Sequence, residues 1–175
     1  MTGVYANGIP KSGTHALAKT IQLLGVPCEV SHYTHDKKPA DDKVVVIFRD
    51  PKNILTSWVR FLGRQMTQGA FIEQLQIFCD IGMRSTLDAY EPYLSDDSTL
   101  CVRYEELLTD AGVTVSNIAN FLGVPVLDDC YTNIEGFTRT WNPTKSDWRE
   151  HWTDNIDSAW VSHGCREAAE RMGYY

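Results

Sequence analysis

The chain reads as an α/β protein with a central, mostly parallel sheet flanked by helices, and three observations predict this. Val44-Val45-Val46-Ile47-Phe48 is apolar on both faces and β-branched, as expected of a central parallel strand covered from both sides. Strand-like runs alternate with helical patterns along the 175 residues, which is the signature of strand–helix–strand units. The turn Gly8-Ile9-Pro10-Lys11-Ser12-Gly13-Thr14-His15 lies between a short apolar opening and a helical pattern, where such folds hold phosphate. Together they describe a three-layer, P-loop-like arrangement.

The elements follow in order. Val4-Tyr5-Ala6-Asn7 is the first strand, and Leu17, Ile21 and Leu24 recur at helical spacing to give the next helix a core face, closed by Gly25. A brief extended piece around Glu29–Tyr33 and a loop over His35–Asp42 lead to the Val44–Phe48 strand. Asp50 is a natural N-cap and Pro51 a natural first helical residue, so a helix runs from Pro51 to about Leu62. Ile54, Trp58 and Phe61 are expected to face inward, with Asn53, Ser57 and Arg60 on the polar face. A longer helical region spans Ala70 to about Tyr93. Leu100-Cys101-Val102 is a further buried strand entering Arg103-Tyr104-Glu105-Glu106-Leu107, a second strand–helix junction. Val115, Ile118, Phe121 and Leu122 mark a short helix closed by Gly123; Gly136–Asp147 reads as loop; Val161, Cys165, Ala168 and Met172 mark one final helix.

Length suits one domain over residues 1–175. A net charge of −7 argues against a general nucleic-acid binder, because affinity for a phosphate backbone needs a basic surface. Any polyanion bound here must meet a local cluster of Lys and Arg. The five cysteines are dispersed, with no Cys-x-x-Cys pair, and read as reduced, buried thiols rather than metal ligands. No run approaches the roughly 20 apolar residues of a membrane span, and the opening residues lack a basic, apolar leader pattern. These features point to a cytoplasmic chain with neither a nucleic-acid nor a membrane partner; nothing in them speaks to oligomeric state.

The glycine turn carries the chemistry. Backbone N–H groups at a helix start converge on one point, the helix dipole adds to them, Lys11 brings a mobile charge, and Ser12 and Thr14 bring hydroxyls. An ordinary capped helix start is the plainer reading of the same residues. A Walker loop would place Lys after its last Gly and follow it with a Mg²⁺-holding hydroxyl, whereas Lys11 precedes Gly13. The central strand ends in Arg49 rather than in an acid, which suits a second phosphate better than a metal.

At this point the sequence resembles the sulfotransferases that use 3′-phosphoadenosine-5′-phosphosulfate (PAPS). Pro10-Lys11-Ser12-Gly13-Thr14 looks like their 5′-phosphosulfate loop, with His15 following it. Phe48-Arg49-Asp50-Pro51 through Ser57-Trp58 looks like their 3′-phosphate motif, in which an Arg and a Ser eight residues later hold that phosphate. Val102–Leu107 matches a junction near the adenine, which brings in Tyr104, and Ile118–Gly123 matches the helix after it. Ser146-Asp147-Trp148-Arg149 is similar to a late Gly-Asp-Trp-Lys segment. The resemblance implies transfer of a sulfuryl group to an acceptor hydroxyl or amine on a small molecule, glycan or peptide, releasing adenosine 3′,5′-bisphosphate (PAP) without a metal. Lys11 would stabilise charge on the leaving and transferring groups, and Arg49 and Ser57 would anchor the 3′-phosphate. The base would be a His before the central strand, often spelled Thr-His. His35, in Thr34-His35, fits that spelling first, and His32, in Ser31-His32, is the second candidate.

The family often carries a Trp two residues after the loop's Thr to stack on adenine, and Ala16 stands there; Trp148 is an alternative partner. Arg139 and Lys145 occupy the region where relatives place an Arg-Lys-Gly sequence and are candidates for the 3′-phosphate. The short Gly25–Lys43 stretch implies an open acceptor site, for which Tyr5, Phe61, Phe71 and Phe78 are candidate walls as well as candidate core. Two rivals stay open: a small P-loop nucleotide kinase, and a binding module that kept the nucleotide pocket without catalysis.

Overall fold

A computed structural model describes residues 3–63, 66–126 and 147–175. Four parallel strands, β1 (Val4–Asn7), β2 (Glu29–Val30), β3 (Lys43–Phe48) and β4 (Thr99–Arg103), form a sheet in the order β2-β1-β3-β4. Ala6 pairs with Val45 and Val46 with Cys101, so β1 and β3 lie side by side at the centre. The doubly apolar run explains this. Val45 and Ile47 enter one core and Val44, Val46 and Phe48 the other, all buried. Burying one such side chain contributes roughly 1.5–3 kcal/mol.

Helix α1 (Thr14–Leu23) packs on the Val45 face with α5 (Tyr104–Thr109) and α6 (Ala111–Leu122) through Leu17, Ile21, Leu107, Val115 and Ile118. The opposite layer holds α2 (Pro51–Leu62), α3 (Gln68–Phe78), α4 (Arg84–Tyr90), α7 (Asp154–Ser162) and α8 (Cys165–Arg171). A π-helical turn, Cys79–Met83, joins α3 to α4, and a 3₁₀ turn, Glu91–Ser95, follows α4, so the long helical region is real but segmented. Helix α2 begins where the sequence puts it, because the Asp50 carboxylate accepts from the Lys52 N–H at 2.9 Å and Pro51 has no N–H to satisfy.

Three expectations are corrected. The inward face of α2 is Ile54, Leu55 and Val59; Phe61 is 51% exposed and Trp58 half-buried, because the helix turns its Ser57–Phe61 edge away from the sheet. The final helix is two, broken where Gly164 takes a left-handed φ of 69°, and Val161 is exposed at the end of α7. Only Glu29–Val30 of the Glu29–Tyr33 piece pairs as strand. Among the described cysteines all are free; Cys79 and Cys165 are buried, while Cys28 and Cys101 are half-buried. Burial raises the Cys101 thiol to about 11 and the Cys79 thiol to about 12. No described helix is long and apolar enough to cross a membrane, and no described group of three His, Cys, Asp or Glu could hold a metal ion.

Candidate active site

The strand order creates the site. From β1 the chain passes outward to β2 on one side, and from β3 outward to β4 on the other, so the loops leaving β1 and β3 diverge and open a crevice between them. A cleft of about 340 Å³ occupies that point. It is lined by Pro10, Lys11, Gly13, Thr14, His15 and Ala16 of the β1–α1 loop, by His32, by Arg49 and Tyr104 at the ends of β3 and β4, and by Ser57, Trp58 and Phe61 of α2.

The loop is tight. A Cβ on Gly8 would come within 2.6 Å of both the Ile47 carbonyl oxygen and Ser12 Oγ, and Ser12 N–H donates to the Ile9 carbonyl at 2.9 Å. Lys11 adopts a left-handed φ of 77°, which is rare for a residue with a side chain and recurs where backbone is held for function. Gly13, at φ 111°, meets the Tyr104 ring: an added Cβ would stand 2.6 Å from Tyr104 Cδ2. The start of α1 therefore lies on the cleft with Lys11 beside it, whose Nζ lies 3.7 Å from the Phe61 ring centroid.

Arg49 closes the other side. Its Nη1 donates to the Lys11 carbonyl at 3.2 Å, and its guanidinium lies over the Tyr104 ring. Burial pulls its pKa down, opposed by Tyr104, Glu105 and Asp50, yet a guanidinium stays charged across the working pH range. The turn that carries it is fixed: Asp50 N–H donates to Glu105 Oε1 at 3.0 Å, and the Asp50 carboxylate also accepts from Trp148 Nε1 at 2.8 Å and from the Tyr175 hydroxyl.

His32 faces the cleft with a defined tautomer. Its Nδ1 is 2.7 Å from the Gly8 carbonyl oxygen, which can only accept; Nδ1 therefore carries the proton, and in the neutral ring Nε2 holds the lone pair.

Several expected residues lie elsewhere. His35 does not line the cleft: its Nε2 is 3.0 Å from Asp96, which also pairs with Lys38, and its ring meets Tyr93 edge-on. Ser12 turns its hydroxyl into the protein, fully buried and with no hydrogen-bond partner, because the loop folds it under Gly8. Trp148 braces Asp50 and Asn53 at the start of α2 and does not line the cleft. Of the four candidate acceptor walls only Phe61 lines it; Tyr5, Phe71 and Phe78 pack on the core. Arg139 and Lys145 lie outside the described residues. Sequence reasoning missed Trp58 as a wall of the cleft. It sits beside Ser57, whose helix edge also carries Phe61 four residues on, and that spacing was the available signal.

A family model for the sulfotransferase domain matches residues 31–150, well over half of the chain, and the chain belongs to that family. Sulfotransferase 6B1 of Danio rerio is 27% identical over 108 residues, covering 57% of this chain and 36% of that protein. The alignment thus reaches little more than a third of the curated relative. Among solved structures, mouse sulfotransferase SULT7A1 complexed with PAP superposes with a TM-score of 0.72 at 18% identity, covering 98% of this chain and 84% of that one. Retinol dehydratase, solved with androsterone and the inactive cofactor PAP, gives 0.69 at 12% identity, covering 95% and 80%. These two likenesses establish a shared α/β fold.

Proposed function

We propose that this chain moves a sulfuryl group from PAPS to a hydroxyl or amine on a small-molecule acceptor. The observation that carries the proposal is the meeting of Lys11 and Arg49 at the ends of adjacent strands, joined by the 3.2 Å bond from Arg49 Nη1 to the Lys11 carbonyl, with His32 on the same cleft. A cleft of about 340 Å³ is within the usual size of a small-molecule site, and two cations with a helix start suit two phosphates. The PAP bound in both structural neighbours fits this donor, and androsterone bound in one of them supports the small-molecule arm. Glycan or peptide acceptors have no comparable support.

The donor supplies an activated sulfuryl group; the chain supplies position and charge. Arg49 and Ser57 hold the 3′-phosphate and fix register, Pro10, Lys11 and Gly13 to His15 surround the 5′ side, and Tyr104 backs both. Lys11 neutralises negative charge as the sulfur–oxygen bond to phosphate breaks and the acceptor–sulfur bond forms in line. His32 Nε2 takes the acceptor's proton, a contribution of roughly 10²–10⁴ in rate. We prefer His32 to His35 as base because it lines the cleft with its accepting nitrogen defined, whereas His35 is paired with Asp96. Trp58 and Phe61 form the apolar wall for the acceptor.

We read residues 1–175 as one such unit, since elements from β1 to α8 share the two cores, and as cytoplasmic, since the described cysteines are free thiols. The second reading is a binding-only module that keeps the nucleotide pocket, with Ala16 on the cleft where relatives often carry an aromatic residue. Release of PAP from PAPS, followed with a panel of hydroxyl and amine acceptors, decides between them. Acceptor-dependent release that falls at least a hundredfold in Lys11→Ala supports transfer; PAP binding without turnover on any acceptor supports the module.

A further inference from the structure

We propose that Asn7 is the positioning residue for His32, an inference that rests on reading His32 as the base. Asn7 ends β1 and is fully buried, an unusual place for a carboxamide in a strand that an apolar residue would pair equally well. All four of its hydrogen-bonding valences are filled, and all point to one neighbourhood. Nδ2 donates to the Tyr33 carbonyl at 2.9 Å and to the Tyr93 hydroxyl at 3.0 Å; Oδ1 accepts from the Tyr33 N–H at 2.9 Å and the Ser31 hydroxyl at 3.1 Å.

Ser31 and Tyr33 are the residues on either side of His32. One side chain therefore grips the chain before and after the base, just where β2 has ended at Val30. Two further bonds complete the hold: Ser31 N–H donates to the Ala6 carbonyl at 3.0 Å, and His32 Nδ1 donates to the Gly8 carbonyl at 2.7 Å. The buried Tyr93 hydroxyl donates to the Tyr33 carbonyl at 3.0 Å from the far side. Ala6, Asn7 and Gly8 are consecutive, and Lys11 follows three residues after Gly8. The strand end that sets the phosphate loop thus also sets the imidazole, so base and cation are held to one rigid reference. A fully satisfied buried network of this kind fixes one geometry where a partly satisfied one would not.

The test uses Asn7→Ala, Ser31→Ala and Tyr93→Phe beside His32→Ala, with three readouts: kcat for transfer, Kd for PAP by calorimetry, and the ¹⁵N spectrum of the His32 ring. Asn7→Ala is expected to lower kcat roughly tenfold to a hundredfold, since misplacing a reacting group by an ångström costs that much, with PAP affinity changed less than about twofold. Its ring spectrum should move from a single Nδ1-protonated tautomer to a mixture. Ser31→Ala and Tyr93→Phe each remove part of the hold and should give smaller changes of the same kind; they carry the test if Asn7→Ala does not fold. An unchanged tautomer with kcat within about twofold of wild type, in Asn7→Ala or in both milder variants, overturns the proposal. A fully active His32→Ala rejects the base assignment instead, and the ring spectrum still decides whether Asn7 positions His32.

Discussion

The Arg49 guanidinium lies 4.5 Å from the centroid of the Tyr104 ring, and that ring is the surface against which Gly13 has no room for a Cβ. One aromatic side chain at the end of β4 thus backs both the cation that follows β3 and the loop that follows β1. Charge in the cleft depends on this packing as much as on sequence motifs.

Tyr104→Leu is therefore expected to weaken PAP binding by about 1 kcal/mol, roughly fivefold, by removing a partly desolvated cation–π contact. Calorimetry on the variant checks this. Unchanged affinity would mean that Arg49 is held well enough by the Lys11 carbonyl.

The two histidines separate cleanly. His32→Ala is expected to lower turnover roughly 10²–10⁴-fold with PAP affinity retained, and His35→Ala to leave turnover within about twofold, because His35 is engaged with Asp96 away from the cleft. Steady-state rates for the pair decide the assignment.

What was legible in the sequence depended on how local the cause was. The central strand was readable because Val44–Phe48 is apolar on both faces, and the bounds of α2 because Asp50 and Pro51 are local signals. The meeting of the glycine turn and Arg49 on one cleft was readable because each closely follows a strand. The orientation of α2 was not: Ile54, Trp58 and Phe61 are one consistent stripe, but the neighbouring stripe of Ile54, Leu55 and Val59 fills the core, and only tertiary packing chooses between them. The spelling Thr34-His35 carries no sign that His35 pairs with Asp96 away from the cleft while His32 lines it. His32 faces the cleft because Asn7 grips its neighbours from a strand 24 to 26 positions away, and such a contact leaves no periodic trace.

Lys52 joins distant parts of the fold. Its ammonium is buried 3.2 Å from Asp157 and within 4.2–5.8 Å of the ring centroids of Trp148, Trp152, Trp160 and Tyr175, so it ties α7 and the last residues to the start of α2. Lys52→Ala is expected to cost about 2–3 kcal/mol by loss of desolvated cation–π contacts and of packing, with Asp157 able to turn to water and Arg166. Urea unfolding measures it; a change under about 0.5 kcal/mol would contradict this view of the contact.

Acid should loosen the Asp96 cluster. Hydrogen bonds from Lys38 first, then Ser98, hold the Asp96 carboxyl well below its ordinary value of 3.8. A carboxylate whose folded pKa is depressed binds fewer protons folded than unfolded, so its stabilisation is present above the ordinary value and is lost as pH falls through the folded one. The Tm gap between wild type and Asp96→Asn should thus be constant near neutrality and shrink below about pH 4. A gap that does not change with pH would show that the cluster acts through shape and not charge.

The proposed transfer requires that two cations at adjacent strand ends form a site for two phosphates. Calorimetric titration with PAP in the presence of chelator, beside adenosine 5′-monophosphate and ATP, and repeated on Arg49→Ala, tests this directly. Metal-independent binding of PAP at least a hundredfold tighter than the monophosphate, lost chiefly in Arg49→Ala, is the predicted result. Preference for ATP with Mg²⁺, or PAP affinity indifferent to Arg49, would contradict it.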